Sequence, residues 1–204
     1  MAAVNREQWL TRAIPHLAKI VNSADVADEF KVTVPEAIQV SCSWPGRSKI
    51  ERTIGQCWQS KAGKGVTQVF ISPLLNDPHD ILAVLIHELV HAADDNESKH
   101  AGRFVKVIRA IGLEGKPTAT HAGEALSQRL AAIADKLGDY PHTGMDLSAN
   151  PIKKQTTRML KVQCESCGCI ARMTAKWLDE AGEPTCGCGG AMVFVPPTKK
   201  KESK

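Results

Sequence analysis

Apolar residues recur with helical spacing near the start of the chain. Trp9, Ala13, Leu17, Ile20 and Val21 fall on one side of a helix drawn over 5–21. Pro15 sits inside that stretch, so the pattern predicts either a kinked helix or two short pieces. Three shorter runs, at 38–44, 53–59 and 66–72, read as strands. Pro45-Gly46 and the segment 61–65 supply turn chemistry between them, and the second turn predicts a hairpin of the last two strands. Helical periodicity returns at 77–93. Asp77 is placed as an N-cap and Pro78 at the first helical position, with Leu82, Leu85, Ile86 and Leu89 as the apolar side. Ser98 is read as the cap of the next helix, which carries Phe104, Val105, Ile108 and Ile111 and stops near Gly112. A third helix over 122–137 has Leu126, Leu130, Ile133 and Leu137 as its buried stripe and ends at Gly138.

Prolines, glycine and small polar residues then dominate the stretch after Tyr140. The expected organisation is a main domain at 1–139, a linker at 140–157, a small cysteine-bearing unit at 158–195 and a disordered basic tail at 196–204. The order of elements predicts an α+β main domain, with a small antiparallel sheet packed on the 78–93 helix and further helices around it. Of the 204 residues 43% are hydrophobic but only 4% aromatic, so the core must be built mainly from Leu, Ile, Val and Ala. No apolar run approaches the roughly 20 residues that span a bilayer. Residues 1–10 lack the basic flank and apolar stretch of a signal peptide. The expectation is a cytoplasmic, monomeric chain with no membrane partner, whose thiols are kept reduced.

Charge adds one feature. Residues 1–150 hold 16 Lys+Arg against 17 Asp+Glu, whereas 151–204 hold 10 against 5. The basic excess belongs to the cysteine-bearing end, which suits either a polyanion such as DNA or simple solubility.

His87-Glu88-Leu89-Val90-His91 carries the most chemistry. Histidines at i and i+4 lie on one helical face, where both rings can reach one ion. Glu88 is about 100° around the helix from His87, close enough to take a proton from a water activated by that ion. A surface helix would more often carry Lys and Glu on this face; here it carries His87, Glu88, His91, Asp94 and Asp95. A catalytic-type zinc needs a third protein ligand and an open position. His100, after a polar turn and at the start of the next helix, and His121, at the start of the third helix, both qualify. Asp94 or Asp95 can ligate or orient a histidine. His16, His79 and His142 have no supporting context and read as surface residues. The competing explanation is an amphipathic helix with two solvent-facing histidines.

Five of the seven cysteines fall within 164–188. In a reducing compartment such clustering favours metal over disulfides. Cys164-x2-Cys167 with Cys186-x-Cys188 reads as a zinc ribbon whose four thiolates close the shell, a structural rather than catalytic site. Cys169 is the spare thiol, and Cys42 and Cys57 read as buried small hydrophobes. Lys153, Lys154, Arg158, Lys161, Arg172, Lys176 and Trp177 surround the ribbon. Of these, Lys161, Arg172, Lys176 and Trp177 are the candidate nucleic-acid contacts. The favoured alternative for Trp177 is packing in the ribbon's small core.

The run at 84–93 (VLIHELVHAA), followed by His100-Ala101-Gly102-Arg103-Phe104, resembles the SprT-like metallopeptidase domain found also in Spartan-type DNA–protein crosslink proteases. In that family the third histidine opens a motif of the form H-G-x-x-F. His100 and Phe104 match it, with Ala101 in place of glycine, which favours His100 over His121. Gly55-Gln56-Cys57-Trp58 and 69–73 (VFISP) resemble the family's hairpin before the active-site helix. The match covers roughly 37–192, and its interval between His91 and His100 is shortened. The resemblance implies a zincin-like domain with a C-terminal zinc ribbon, two zinc ions (catalytic on His87, His91 and His100; structural on the cysteines) and Glu88 as general base. It further implies a protein substrate, with DNA as a possible tether and an association with the nucleoid. The competing function is a non-catalytic, zinc-stabilised nucleic-acid-binding protein. A general small-peptide peptidase without a DNA link ranks third.

Overall fold

The computed structural model describes residues 4–44, 52–149 and 159–196. The Pro45-Gly46 turn, the basic residues Lys153, Lys154 and Arg158, and the tail from 197 lie outside them. Two compact units divide between Leu147 and Ser148.

The first unit opens with α1, Arg6–Asn22. It is one continuous helix through Pro15, neither broken nor split. A proline inside a helix forfeits one backbone hydrogen bond. Here a capping box between Asn5 and Gln8 and the burial of Trp9, Leu10, Ala13, Leu17, Ile20 and Val21 outweigh that loss.

Strands β1 (Ile38–Cys42), β2 (Gly55–Trp58) and β3 (Thr67–Ile71) form one sheet in the order β1-β3-β2. The expected hairpin of β2 and β3 forms, but β1 pairs with β3 in parallel, so the sheet is mixed rather than antiparallel. The reason lies in β3, whose Thr67, Val69 and Ile71 are all buried. The most apolar strand takes the centre and needs a neighbour on each side. Short β2, opening on Gly55, is left at an edge.

Helix α2, Pro78–Ala93, begins at its Asp77 cap as expected. It buries Ile81, Leu82, Leu85, Ile86 and Leu89 completely and packs against α1, α4 and the sheet. Each such side chain contributes about 1.5–3 kcal/mol, so the helix readily offsets the cost of the polar groups it also buries. Helix α3, Gly102–Ala110, starts later than the sequence suggests. Its N-cap is Ala101, not Ser98, because Lys99 and Gly102 adopt positive φ and break any helix across them. His100 therefore stands in the loop before α3.

An unanticipated hairpin follows, β4 (Leu113–Lys116) and β5 (Ala119–Ala122). Its four-residue strands flank Pro117, a pattern that reads as loop. Helix α4, Glu124–Leu137, is correspondingly shorter at its start, and His121 lies on β5. The chain then returns to α1. Tyr140 is buried with its ring edge-on to Trp9 at 5.1 Å. The Trp9 indole N–H donates to the Gly138 carbonyl at 2.9 Å, and the Met145 N–H to that of Pro73 at 2.9 Å. Residues 140–147 thus belong to the first unit rather than to a linker.

In the second unit β6 (Met159–Cys164), β7 (Ile170–Thr174) and β8 (Met192–Val195) form an antiparallel sheet in the order β7-β6-β8, with α5 (Ala175–Ala181) after β7. Its buried core is Val162, Cys164 and Met192. No helix among the described residues is long and apolar enough to cross a membrane. The fold is α+β.

Replacing Trp9 with Ala removes a fully buried side chain and the hydrogen bond that fastens the returning segment. The expected cost is about 3–5 kcal/mol, read from urea unfolding; a loss under about 1 kcal/mol would show that the segment is not held there.

Candidate metal centres

Helix α2 carries His87 and His91 one turn apart, and the loop after it brings in His100. One ring nitrogen from each lies within 4.8 Å of the others. The Nε2 atoms of His91 and His100 are 3.2 Å apart. Tetrahedral zinc with bonds of about 2.0–2.1 Å would place its nitrogens about 3.3 Å from one another. The donor set fits such an ion.

Each imidazole is held by something outside the helix. Thr120 on β5 bonds His87 Nδ1 through its hydroxyl at 2.8 Å, which leaves Nε2 facing the cluster. This is the outer-shell contact that fixes a ligand's ring. His91 Nδ1 has no hydrogen-bond partner among the described residues; its ring stacks on Phe104 instead, with centroids 4.0 Å apart and planes at 15°. The rings of His87 and His100 also meet Phe104 in T-shaped contacts, with centroids 5.0 and 5.3 Å away.

The loop between α2 and His100 is strained and clamped. Asp95, Asn96 and Lys99 all adopt left-handed backbone, with φ of 48°, 58° and 51°. Such residues persist only where their surroundings over-determine them. Asp95 accepts from the Ser60 N–H at 2.6 Å, and Asn96 Nδ2 donates to the Cys57 carbonyl at 3.1 Å. Asp94 accepts from the Ser98 N–H. The two acids therefore brace the loop. His121 faces Glu114 on the exposed hairpin, outside the cluster. Of the other histidines, His79 lies 4.0 Å from Asp80, and His142 bonds the Pro73 carbonyl.

Glu88 is only 6% exposed, yet it lines the same cleft of about 510 Å³. Gly55 makes room for it, because a Cβ there would sit 2.5 Å from Glu88 Oε1 and 2.5 Å from Val84 Cγ1. Sequence pattern singles out neither Gly55 nor Thr120 for this site. Their only signals are a glycine opening a strand and a threonine 33 residues downstream of its histidine. Without a metal, burial pushes Glu88 up to about 8 and holds His87 down at about 4 and His91 at about 3. The rings are thus neutral, with lone pairs free for a cation.

In the second unit the sulfurs of Cys164, Cys167, Cys186 and Cys188 lie within 4.8 Å of one another. Cys164–Cys188 is 3.5 Å and Cys167–Cys186 is 3.6 Å. A tetrahedral zinc with bonds of about 2.3 Å spaces its sulfurs by about 3.8 Å. The backbone N–H of Cys167 is the main influence lowering the Cys164 thiol, to about 6. Gly190 passes so close that a Cβ would lie 2.8 Å from Cys164 Sγ. Cys169 is exposed and stands outside the four; Cys42 and Cys57 are buried free thiols.

The candidate nucleic-acid contacts do not form one surface. Lys161 and Arg172 are cross-strand neighbours on the sheet face turned away from Val162 and Cys164. Lys176 and Trp177 ride on α5, whose Leu178 packs on the core face. The strand period of two separates the pairs. Trp177 does not fill the core: it is 53% exposed, with the Lys176 ammonium 5.2 Å from its ring centre.

Comparison with protein-family models, curated proteins and solved structures gives no match. The site's geometry carries the functional argument.

Two zinc ions per chain are expected by metal analysis. His100→Ala should retain only the cysteine-bound ion, and Cys186→Ser only the histidine-bound one; a single ion in the intact protein would leave one cluster without a metal. In metal-free protein the unfolded chain takes up protons that His87 and His91 refuse, so stability should fall as pH drops from 6.5 toward about 3. Glu88 acts in the opposite sense. Its neutral form is favoured on folding, so its contribution is complete below pH 4.5 and lost as pH rises through about 8. Denaturation of chelator-treated protein should show both limbs, and Glu88→Gln should remove only the alkaline one. Parallel curves for the two proteins would refute a buried Glu88 titration.

Proposed function

We propose that this chain is a zinc-dependent metalloendopeptidase of the SprT-like type, a zincin-like domain followed by a zinc ribbon. Its substrate is a protein, including proteins held on DNA. The observation that carries this reading is the convergence of His87, His91 and His100 at one point with Glu88 beside them in an open cleft.

A zinc ion held by His87, His91 and His100 would supply Lewis acidity there, bringing the pKa of a water toward about 7 and polarising a peptide carbonyl. Glu88 accepts the proton of the attacking water and delivers it to the departing amine. A neighbouring dication favours the ionised carboxylate and opposes the upward push of burial. Thr120 and Phe104 hold the imidazoles so that little reorganisation is needed when the site is loaded.

The adjoining strand suits a polypeptide. The Ser72 N–H donates to the Ile54 carbonyl, so alternation turns the backbone groups of Gly55 and Cys57 to the outer side of β2, which has no neighbouring strand among the described residues. The Cys57 carbonyl is taken by Asn96. Gly55, directly beneath Glu88, has no partner for its N–H and C=O among the described residues, which leaves them to an extended peptide that can add there as a further strand. Tyr140 is buried against Trp9 and does not line the cleft.

A second reading, a zinc-stabilised nucleic-acid-binding protein without catalysis, is favoured by the exposed Trp177 beside Lys176. It expects DNA affinity that falls steeply with salt and no proteolysis.

Glu88→Gln tests the first reading. Cleavage of a protein substrate should fall by about 10²–10⁴-fold while the histidine-bound zinc stays in place. Undiminished cleavage by the zinc-loaded variant would remove Glu88 from the mechanism.

A further inference from the structure

We infer that the cleft takes an extended polypeptide bearing acidic side chains on both sides of the bond presented to the histidines, with Arg52 and Lys99 as the groups that read them. The inference rests on the peptidase reading and adds the substrate class.

Arg52 and Lys99 both line the cleft and are both exposed. Neither has a carboxylate within salt-bridge reach among the described residues. Glu88 is the one acidic side chain on the described walls, and it is buried at the centre where it faces the reaction. An acidic side chain entering the cleft therefore meets two cations without an ion-pair partner among the described residues, and the one carboxylate on the described walls is the buried Glu88. A basic side chain meets the reverse. Within a concave, partly desolvated cleft such a charge pattern selects partners by attraction and by repulsion together.

The two cations enter the cleft from different parts of the chain. Arg52 leads into β2 just before Gly55. Lys99 belongs to the clamped loop, three residues beyond the Asn96 that bonds Cys57 further along the same strand. It directly precedes His100, and its backbone is left-handed, φ 51°. A peptide added along β2 runs from Arg52, which leads into the strand, toward Cys57, where the loop that carries Lys99 is tied, and it shares the cleft with the histidines. One acidic residue on each side of the central bond meets a cation.

The edge itself favours polypeptide over nucleic acid. Gly55 offers both a donor and an acceptor, which a peptide backbone matches and a phosphodiester backbone, lacking donors, does not.

The test uses full-length, zinc-loaded protein carrying Glu88→Gln, so that bound peptide stays intact. Fluorescent unstructured peptides are compared by anisotropy, identical except for Glu or Lys flanking a central apolar pair. The Glu peptide should bind about tenfold more tightly, near the sum of two exposed ion pairs, and the advantage should shrink with added salt. Arg52→Glu and Lys99→Glu should each reduce the preference, and the double change should reverse it. Arg52→Ala and Lys99→Ala, milder changes at exposed positions, should give intermediate values and guard against misfolding. Equal binding of the two peptides, or a preference untouched by either reversal, overturns the inference. So does a single-stranded oligonucleotide that displaces the peptide and shows the same dependence on Arg52 and Lys99. Cleavage of both peptides at equal rates by the unsubstituted protein, with equal binding, sinks this inference and leaves the peptidase. Selective binding of the Glu peptide with no cleavage does the opposite.

Discussion

Everything in the first unit depends on α2 meeting two demands within 16 residues. One side must be buried deeply enough to organise the sheet and two further helices. The other must hold imidazoles and a carboxylate at a fixed point. The two sides are not cleanly separate, for Glu88 and His91 are themselves buried. The apolar contacts of Ile81, Leu82, Leu85, Ile86 and Leu89 hold the helix rigid while those polar groups are withheld from water. A surface helix with the same five-residue motif would keep its side chains solvated and mobile, and would lose the preorganisation that a site of this kind needs.

The rest of the site is assembled onto α2 from separate parts of the chain. β2 supplies Gly55, whose missing side chain is the space occupied by Glu88. β5 supplies the Thr120 hydroxyl, and α3 the Phe104 ring. The loop carrying His100 is held in an unfavourable backbone conformation by Asp95 and Asn96, both anchored at or just beyond β2. Strain of that kind, of order 1–3 kcal/mol per residue, is tolerated only where several contacts fix the loop at once. The short path from His91 to His100 explains it: few residues must turn the chain through a tight arc and still aim a ring back at the helix.

This division also explains what is legible in the sequence. His87, Glu88 and His91 are legible because their relation is local, set by the pitch of one helix. The four cysteines are legible for the same reason, since paired thiols near tight turns are a short-range pattern. The spacing of His100 and His121 does not choose between them; the motif that His100 shares with Phe104 does, and Phe104 touches all three rings. Gly55 and Thr120 escape notice because their importance is a tertiary contact that no periodicity encodes. The parallel pairing of β1 escapes because strand order is nonlocal, and β4 and β5 because four-residue strands around Pro117 resemble a loop. Composition assigns Tyr140 to a linker, although its ring packs on Trp9 at the far end of the unit's sequence. Trp177 fails in the other direction: an aromatic in a small unit suggests core, but α5 turns it outward.

The two clusters differ in what a metal would do for them. Among the described residues the cysteine unit has a buried core of three, far too little apolar area to offset the entropy of ordering its sheet. A metal held by the four clustered sulfurs would make metal binding and folding a single event there. The histidine cluster sits on a helix already fixed by a large core, so its geometry does not have to be created by the ion. Under the proposed peptidase reading, that would leave one coordination position open for chemistry, with the carboxylate beside it. A closed shell that holds a fold together and an open one held by a fold are therefore opposite solutions, and the amount of core beside each cluster decides which one the chain can use.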